Sequence, residues 1–197
     1  MKDIIKRIEE LGSDNVATFG GKFEGGIHLQ QIPDEIAPVI EFLQEKEIEN
    51  YLEIGSAAGG LVYLLNDFLD LKKILIIDDN MHPKARLRSD ILSDIDYDEI
   101  IGNSQDEETV EAVNIRFDLM TIDADHSFQG ITKDFETYTP MLKKGGYLIF
   151  HDTVHWSTPG VHRFIDVLKK AKNYKLIGEY ISETHVSPCG VALFQKN

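Results

Sequence analysis

The chain has 197 residues, 42% of them apolar, with 34 acidic residues against 20 Lys and Arg and a formal charge of −14. That length builds one domain with a sizeable core rather than two, and the charge repels nucleic acid and anionic lipid, so neither is expected as a main partner. The single cysteine, Cys189, excludes an intrachain disulfide and a zinc site built on cysteines, and the longest apolar runs, such as the one in LKKILIIDDN, are far too short to span a membrane.

Residues 2–11 place Ile4, Ile5, Ile8 and Leu11 on one helical face, which could also pair with a second subunit in a homo-oligomer. MKDIIKRIEE has neither an apolar signal core nor a cleavage site, so a cytoplasmic location is expected. LGSDNVATFGGKFEGGIHLQQ follows, punctuated by Gly20–Gly21 and Gly25–Gly26; it is a lid or binding segment, or a linker. Residues 1–32 thus form an N-terminal helix and glycine-rich cap, and 33–197 a single domain. Pro33, Asp34 and Glu35 start a helix, with proline in the first turn and acids at the positive dipole end; Ile36, Ile40 and Leu43 continue it.

From residue 51 strands and helices alternate. YLEI at 51–54 is a strand, and Leu61, Leu64, Leu65 and Phe68 mark a helix. ILII at 74–77 is a buried strand, and 81–95 is helical but poorly patterned. DEII at 98–101 is a short strand, 105–114 a helix and FDLMTI at 117–122 a strand. Phe128, Ile131, Phe135, Tyr138 and Leu142 make a helical stripe that Lys143, Lys144 and Gly145–Gly146 stop. YLIF at 147–150 is a strand, and Val161, Phe164, Ile165 and Leu168 mark a helix. YKLIGEYI at 174–181 and GVALFQ at 190–195 are the last two strands. The pattern implies an α/β fold, doubly wound around a seven-stranded, mostly parallel sheet buried on both faces. Only SETHVSPC separates the last two strands, too few residues for a parallel crossover, so the last strand is antiparallel.

In open α/β sheets, ligands bind beyond the carboxyl ends of the strands. The first tip carries GSAAGG, where glycine lets a ligand lie against the backbone. The second carries Asp78 and Asp79, about 20 residues past the glycine turn, where an acid can hold a ribose diol. The third carries GNSQD, the fourth DADH and the fifth HDT. Asp123 and Asp152 end strands expected to be neighbours, about 4.8 Å apart. Their carboxylates repel unless a metal, a sulfonium or a lysine lies between them, or unless they serve as helix and turn caps instead. Asp125, His126 and His151 crowd the same rim. Oxygen donors of this kind suit Mg²⁺, Ca²⁺ or Mn²⁺, and histidine tilts the choice toward a transition metal. Trp156 walls a pocket or packs in the core; Met81, Met120 and Met141 fill core or loop.

Together YLEIGSAAGG, the acid after ILII, IGNSQD, FDLMTIDADHSFQGITKDFETYTPMLKKGGYLIFHDT and PGVHRF resemble the class I S-adenosylmethionine-dependent methyltransferases. Within them the chain is most similar to small-molecule O-methyltransferases of the catechol and caffeoyl-CoA type and to metal-dependent enzymes that modify antibiotics and sugars. The resemblance runs from about residue 27 to the end. It implies a Rossmann-like methyltransferase sheet ending in the hairpin already read, and methyl transfer from S-adenosylmethionine to a hydroxyl of a small molecule. It implies that Glu53, Gly55, Ser56 and Gly59 pass the methionine end of the cofactor. Asp78, or Asp79, would hold the ribose, and Ser104 and Gln105 the adenine. Asp123 and Asp152 match the metal-binding acids, with Mg²⁺ the expected ion, and Asp123 also borders the cofactor. His126 stands where the catechol type has a catalytic lysine and would act as the base. Thr153 departs from the asparagine of the catechol pattern. Two rivals remain: an NAD-dependent oxidoreductase, disfavoured by the missing second glycine of G-x-G-x-x-G, and a non-catalytic cofactor-binding protein.

Overall fold

The computed structural model describes residues 1–12 and 26–197; the greater part of the glycine-rich cap lies outside them. The first helix, α1 (Lys2–Leu11), lies beside α2 (Pro33–Leu43). Five βα units follow: β1 (Asn50–Ile54) and α3 (Gly60–Phe68), β2 (Lys73–Asp78) and α4 (Arg88–Ile91), β3 (Asp98–Ile101) and α5 (Glu107–Glu111), β4 (Phe117–Ile122) and α6 (Phe128–Tyr138), β5 (Leu142–His151) and α7 (Pro159–Leu168). The hairpin β6 (Tyr174–Tyr180) and β7 (Val191–Lys196) closes the chain.

The sheet has seven strands in the order β3-β2-β1-β4-β5-β7-β6. β1 to β5 are parallel, and β7 runs antiparallel to both β5 and β6. The short 181–190 connection could not have led anywhere else. Side chains alternate between two cores, as the period of a strand requires. Tyr51, Ile74, Ile76, Leu119, Ile149 and Leu193 face one core, filled by Ile4, Ile8, Ile36, Ile40, Leu61 and Leu65. Leu52, Ile77, Met120, Phe150 and Phe194 face the other, with Ile131, Tyr138, Phe164 and Ile165. Ile4 and Ile8 are therefore buried within their own chain.

Three local readings change. The stripe through Leu142 ends at Tyr138 in a 3₁₀ turn, Thr139–Met141, and Leu142 already pairs with Phe117. Lys143–Gly146 bulge between two registers, with Gly145 at φ 82°, rather than merely stopping a helix. Residues 81–95 hold only a 3₁₀ turn, Ala85–Leu87, and the single turn α4, because no apolar stripe holds a longer helix to the sheet. Glu35 sits at the start of α2 but is fully buried. Its carboxylate accepts from the backbone N–H of Ser182 at 3.0 Å and Gly190 at 2.9 Å, so it clasps the β6–β7 connection. Among the described residues no helix is long and apolar enough to cross a membrane.

Candidate active site

The tips of the first five strands open into one cavity of about 660 Å³. Its wall takes Gly55 and Ala57 from the first tip, Asp78 and Asp79 from the second, and Gly102–Gln105 from the third. The fourth and fifth supply Asp123–His126, His151 and Asp152. The predicted single rim is thus present.

At the first tip, Gly55 has φ 81°, and a Cβ there would lie 2.4 Å from the Asp123 carbonyl oxygen. Only glycine lets the turn run this close to the β4 tip. Gly59, at φ 81°, caps α3. Behind the turn is a small polar recess lined by Gln30, Gln31, Glu53, Ser56, Thr121 and Asp123, among others. Gln30, Gly55 and Asp123 border both spaces. Glu53 is buried there and accepts from the Tyr51 hydroxyl, which also contacts Thr121 Oγ1 at 2.8 Å. Burial pushes the Glu53 carboxyl up to about 8. Ser56 Oγ is buried beside the Glu53 carboxyl and is close enough to lower its pKa by hydrogen bonding, against burial. An ionisable carboxyl and a hydroxyl in one small polar recess offer acceptors to the ammonium of a ligand that reaches it.

At the second tip the two acids part. Asp78 accepts from the Ser56 and Ala57 N–H groups at 2.8 and 3.0 Å and from Asn80 N at 2.7 Å. It also pairs with the buried Arg88 guanidinium at 2.9 Å. Arg88 donates onward to the Ala57 carbonyl, Asn80 and Glu99. Asp78 therefore ties the glycine turn to α4. Asp79 is exposed on the cavity wall and, among the described residues, accepts from Met81 N. Met81 itself is 81% exposed, a loop residue and not core.

At the third tip Ser104 Oγ donates to the fully buried Asp134 at 2.7 Å, and the Tyr138 hydroxyl donates to the Ser104 carbonyl at 2.6 Å. Gln105 reaches the Gly130 carbonyl at 3.4 Å. Helix α6 thus braces this loop from below.

The fourth and fifth tips form the charged centre. His126 Nε2 lies 3.0 Å from Asp123 Oδ1 and 3.6 Å from Asp152 Oδ2. His151 Nδ1 lies 3.3 Å from Asp123 Oδ2 and 3.7 Å from Asp152 Oδ1. Two imidazoles therefore stand between the acids that would otherwise repel. Burial alone would raise the Asp123 carboxyl; the charge of His151 and the hydrogen bond from His126 outweigh it and hold the group well below the carboxylate range. The hydrogen bond to Asp123 raises His126, against burial. His151 is pushed well above its ordinary value, its burial outweighed by the charge of Asp123. Asp123 is not a helix cap: Ser127 caps α6, accepting from Gly130 N, and Asp125 accepts from Ser127 N. Asp152 sits at φ 58°, an unusual backbone for a non-glycine residue. Gly160, from PGVHRF, lets α7 approach the His126 carbonyl, which a Cβ would meet at 2.5 Å.

The ligand atoms of Asp123, His126 and Asp152 lie within 4.8 Å of one another, so these residues fit a divalent ion. Thr153 is fully buried beneath Gly190 and does not line the cavity, so it supplies no ligand here. Trp156 is 82% exposed, which removes it from the core. Tyr51, Arg88 and Asp134 carry no signal of spacing; each acts through partners distant in sequence, while Cys189, which reads as a turn residue of the final hairpin, lines the cavity.

A family model described as "Methyltransferase domain" matches residues 52–153, just over half of the chain. An uncharacterized protein of Acanthamoeba polyphaga mimivirus is 26% identical over 163 residues, covering 71% of this chain and 72% of its own. An O-methyltransferase from Bacillus cereus, solved with S-adenosylhomocysteine, superposes with a TM-score of 0.71 at 14% identity, covering 99% of this chain and 91% of the other. The N-methyltransferase NodS from Bradyrhizobium japonicum, also solved with S-adenosylhomocysteine, gives 0.63 at 18% identity, with 78% and 81% covered. With the strand order, the antiparallel β7 and the single rim of strand tips, these findings converge: the chain belongs to the methyltransferase-domain family and has the fold of the class I S-adenosylmethionine-dependent methyltransferases.

Proposed function

We propose that the protein transfers the methyl group of S-adenosylmethionine to a hydroxyl oxygen of a small molecule, with His126 as the base. The observation that carries this reading is His126 itself, hydrogen-bonded to Asp123 at 3.0 Å and 40% exposed at the cavity. S-adenosylmethionine, when bound, supplies an electrophilic methyl on a cationic sulfur. Glu53 and Ser56 would receive its amino-acid end, Asp79 the ribose hydroxyls and the Ser104–Gln105 loop the adenine. Asp79 is preferred over Asp78 because Asp78 is already engaged by four donors.

Asp123 keeps a proton on His126 Nε2, which leaves Nδ1 to take the proton of the acceptor hydroxyl. The walls orient the acceptor and exclude water, a positioning effect that can supply about 7–11 kcal/mol. No lysine or arginine is among the described residues lining the cavity, which favours a neutral acceptor over a polyanionic thioester of coenzyme A. Asp123 and Asp152 would hold a divalent ion such as Mg²⁺, which when bound would lower the pKa of the acceptor hydroxyl.

The test is a screen of hydroxylated small molecules with methyl-labelled cofactor, with and without Mg²⁺, followed by His126→Ala on any acceptor found. Wild-type turnover should rise with pH along a limb set above the ordinary histidine value of 6.5, since His126 is raised and must be neutral to act. His126→Ala should lose about 10²-fold in kcat and lose that limb, while S-adenosylhomocysteine affinity stays within a few-fold. Full turnover of the variant across the pH range would remove His126 as the base.

A further inference from the structure

We infer that the cavity carries a transition-metal site of the Zn²⁺ class on His151, Asp152 and Cys189; its binding stands apart from the methyl-transfer reading, which enters only in what the ion would do. The ligand atoms of these three residues lie within 4.8 Å of one another. His151 is 6% exposed; its ring is hydrogen-bonded to the Cys189 side chain, and its buried Nε2 meets no oxygen or nitrogen partner. All three residues line the cavity, so an ion can enter and keep an open position.

The cluster is held in place by the backbone around it. Val154 N–H donates to the Cys189 carbonyl at 3.0 Å, and Thr153 N–H to the Gly190 carbonyl at 3.3 Å. Glu35 fixes the same connection through Gly190 N–H at 2.9 Å. Little backbone reorganisation is therefore needed to bind, and two protons leave to solvent as the ion coordinates, one from the Cys189 thiol and one from the ligating nitrogen of the His151 imidazolium. The donor set decides the class of ion. Nitrogen, oxygen and sulfur together select borderline metals, whereas Mg²⁺ demands oxygen. Asp123, His126 and Asp152 offer no sulfur, and an ion held there through His126 would occupy the proposed base. The Cys189 side takes Asp152, so an ion there stands in place of Mg²⁺ on Asp123 and Asp152 and not beside it; it leaves His126 and Asp123 for the proton, so an ion on that side and a histidine base are compatible.

The probe is Co²⁺ alone, added to reduced, chelator-stripped full-length protein. Cys189 is the chain's only cysteine, so a sulfur-to-cobalt charge-transfer band in the near ultraviolet reports this site. The band should saturate at one equivalent, be displaced by Zn²⁺ and survive excess Mg²⁺. It should vanish in Cys189→Ser and persist in His126→Ala. No band in folded wild type, a band in Cys189→Ser, a band lost in His126→Ala, or saturation at half an equivalent, which would place the ion between two molecules, each overturns the site. Calorimetry with S-adenosylhomocysteine on the same samples reads the methyltransferase assignment separately: cofactor binding without the cobalt band removes the metal site alone.

Discussion

Asp123→Asn is expected to lower methyl transfer by about 10²–10⁴-fold and stability by about 3–5 kcal/mol. Of the two acids that touch both His126 and His151, Asp123 is the nearer, at 3.0 and 3.3 Å against 3.6 and 3.7 Å for Asp152. Without it a buried imidazolium loses its nearer partner and keeps only Asp152, at 3.7 Å. The sign of the pH dependence follows from the shifts. The depressed Asp123 contributes stability that is present above 3.8, its ordinary value, and lost as pH falls through the folded one. The raised histidines contribute stability that is present below 6.5 and lost as pH rises through their folded values. The cluster therefore stabilises most between those two limits. Urea unfolding of wild type and Asp123→Asn across pH should show the largest gap in that window. An equal gap at every pH, or none, would show that the ion pairs are not formed.

Glu53→Gln is the second large effect, and it splits stability from binding. The folded carboxyl titrates at about 8 against an ordinary 4.5. The native state therefore binds a proton that the unfolded chain has released, and ligand-free wild type loses stability as pH rises from 4.5 through about 8. Each unit of such a shift is worth about 1.4 kcal/mol, so the term is on the order of a few kcal/mol. Gln cannot ionise and can still accept from Tyr51. The variant should gain melting temperature relative to wild type at the alkaline end and gain little near pH 4.5. It should also bind S-adenosylhomocysteine about 10–100-fold more weakly, the loss of one charge-assisted hydrogen bond. In wild type the ligand ammonium displaces the Glu53 proton. Calorimetry near neutral pH in buffers of different ionisation enthalpy should register about one proton released, and the variant none. Equal proton release in both would place the amino group elsewhere.

The sequence made the sheet legible because its strands are continuous apolar runs with polar tips. ILII, FDLMTI and YLIF can be buried on both faces only in a parallel α/β sheet, and the short SETHVSPC forces the final reversal. The gathering of Asp78, Ser104, Asp123, His126 and Asp152 at one rim followed from that topology. What stayed hidden depends on partners far along the chain. Glu35 read as a dipole residue of α2, yet it binds Ser182 and Gly190, 147 and 155 residues away. Arg88 sits in an unpatterned stretch, and nothing local tells that it is buried against Asp78, 10 positions earlier, and the Ala57 carbonyl. The Lys143–Gly146 bulge carried the signature of a helix stop, and only pairing with β4 reveals it as an interruption within β5. The two imidazoles between Asp123 and Asp152 are a related case. Spacing called for a cation there and could not say that the chain supplies its own.

A crystal structure of the complex with S-adenosylhomocysteine tests the central claim most directly. The expected result is a single ligand spanning the strand tips, its amino-acid end in the recess of Glu53 and Ser56, its ribose at Asp79, its adenine beside Ser104 and Gln105, and its sulfur facing the Asp123–His126 centre. A ligand bound away from that rim, or a protein that takes NADH there and not S-adenosylhomocysteine, would contradict it.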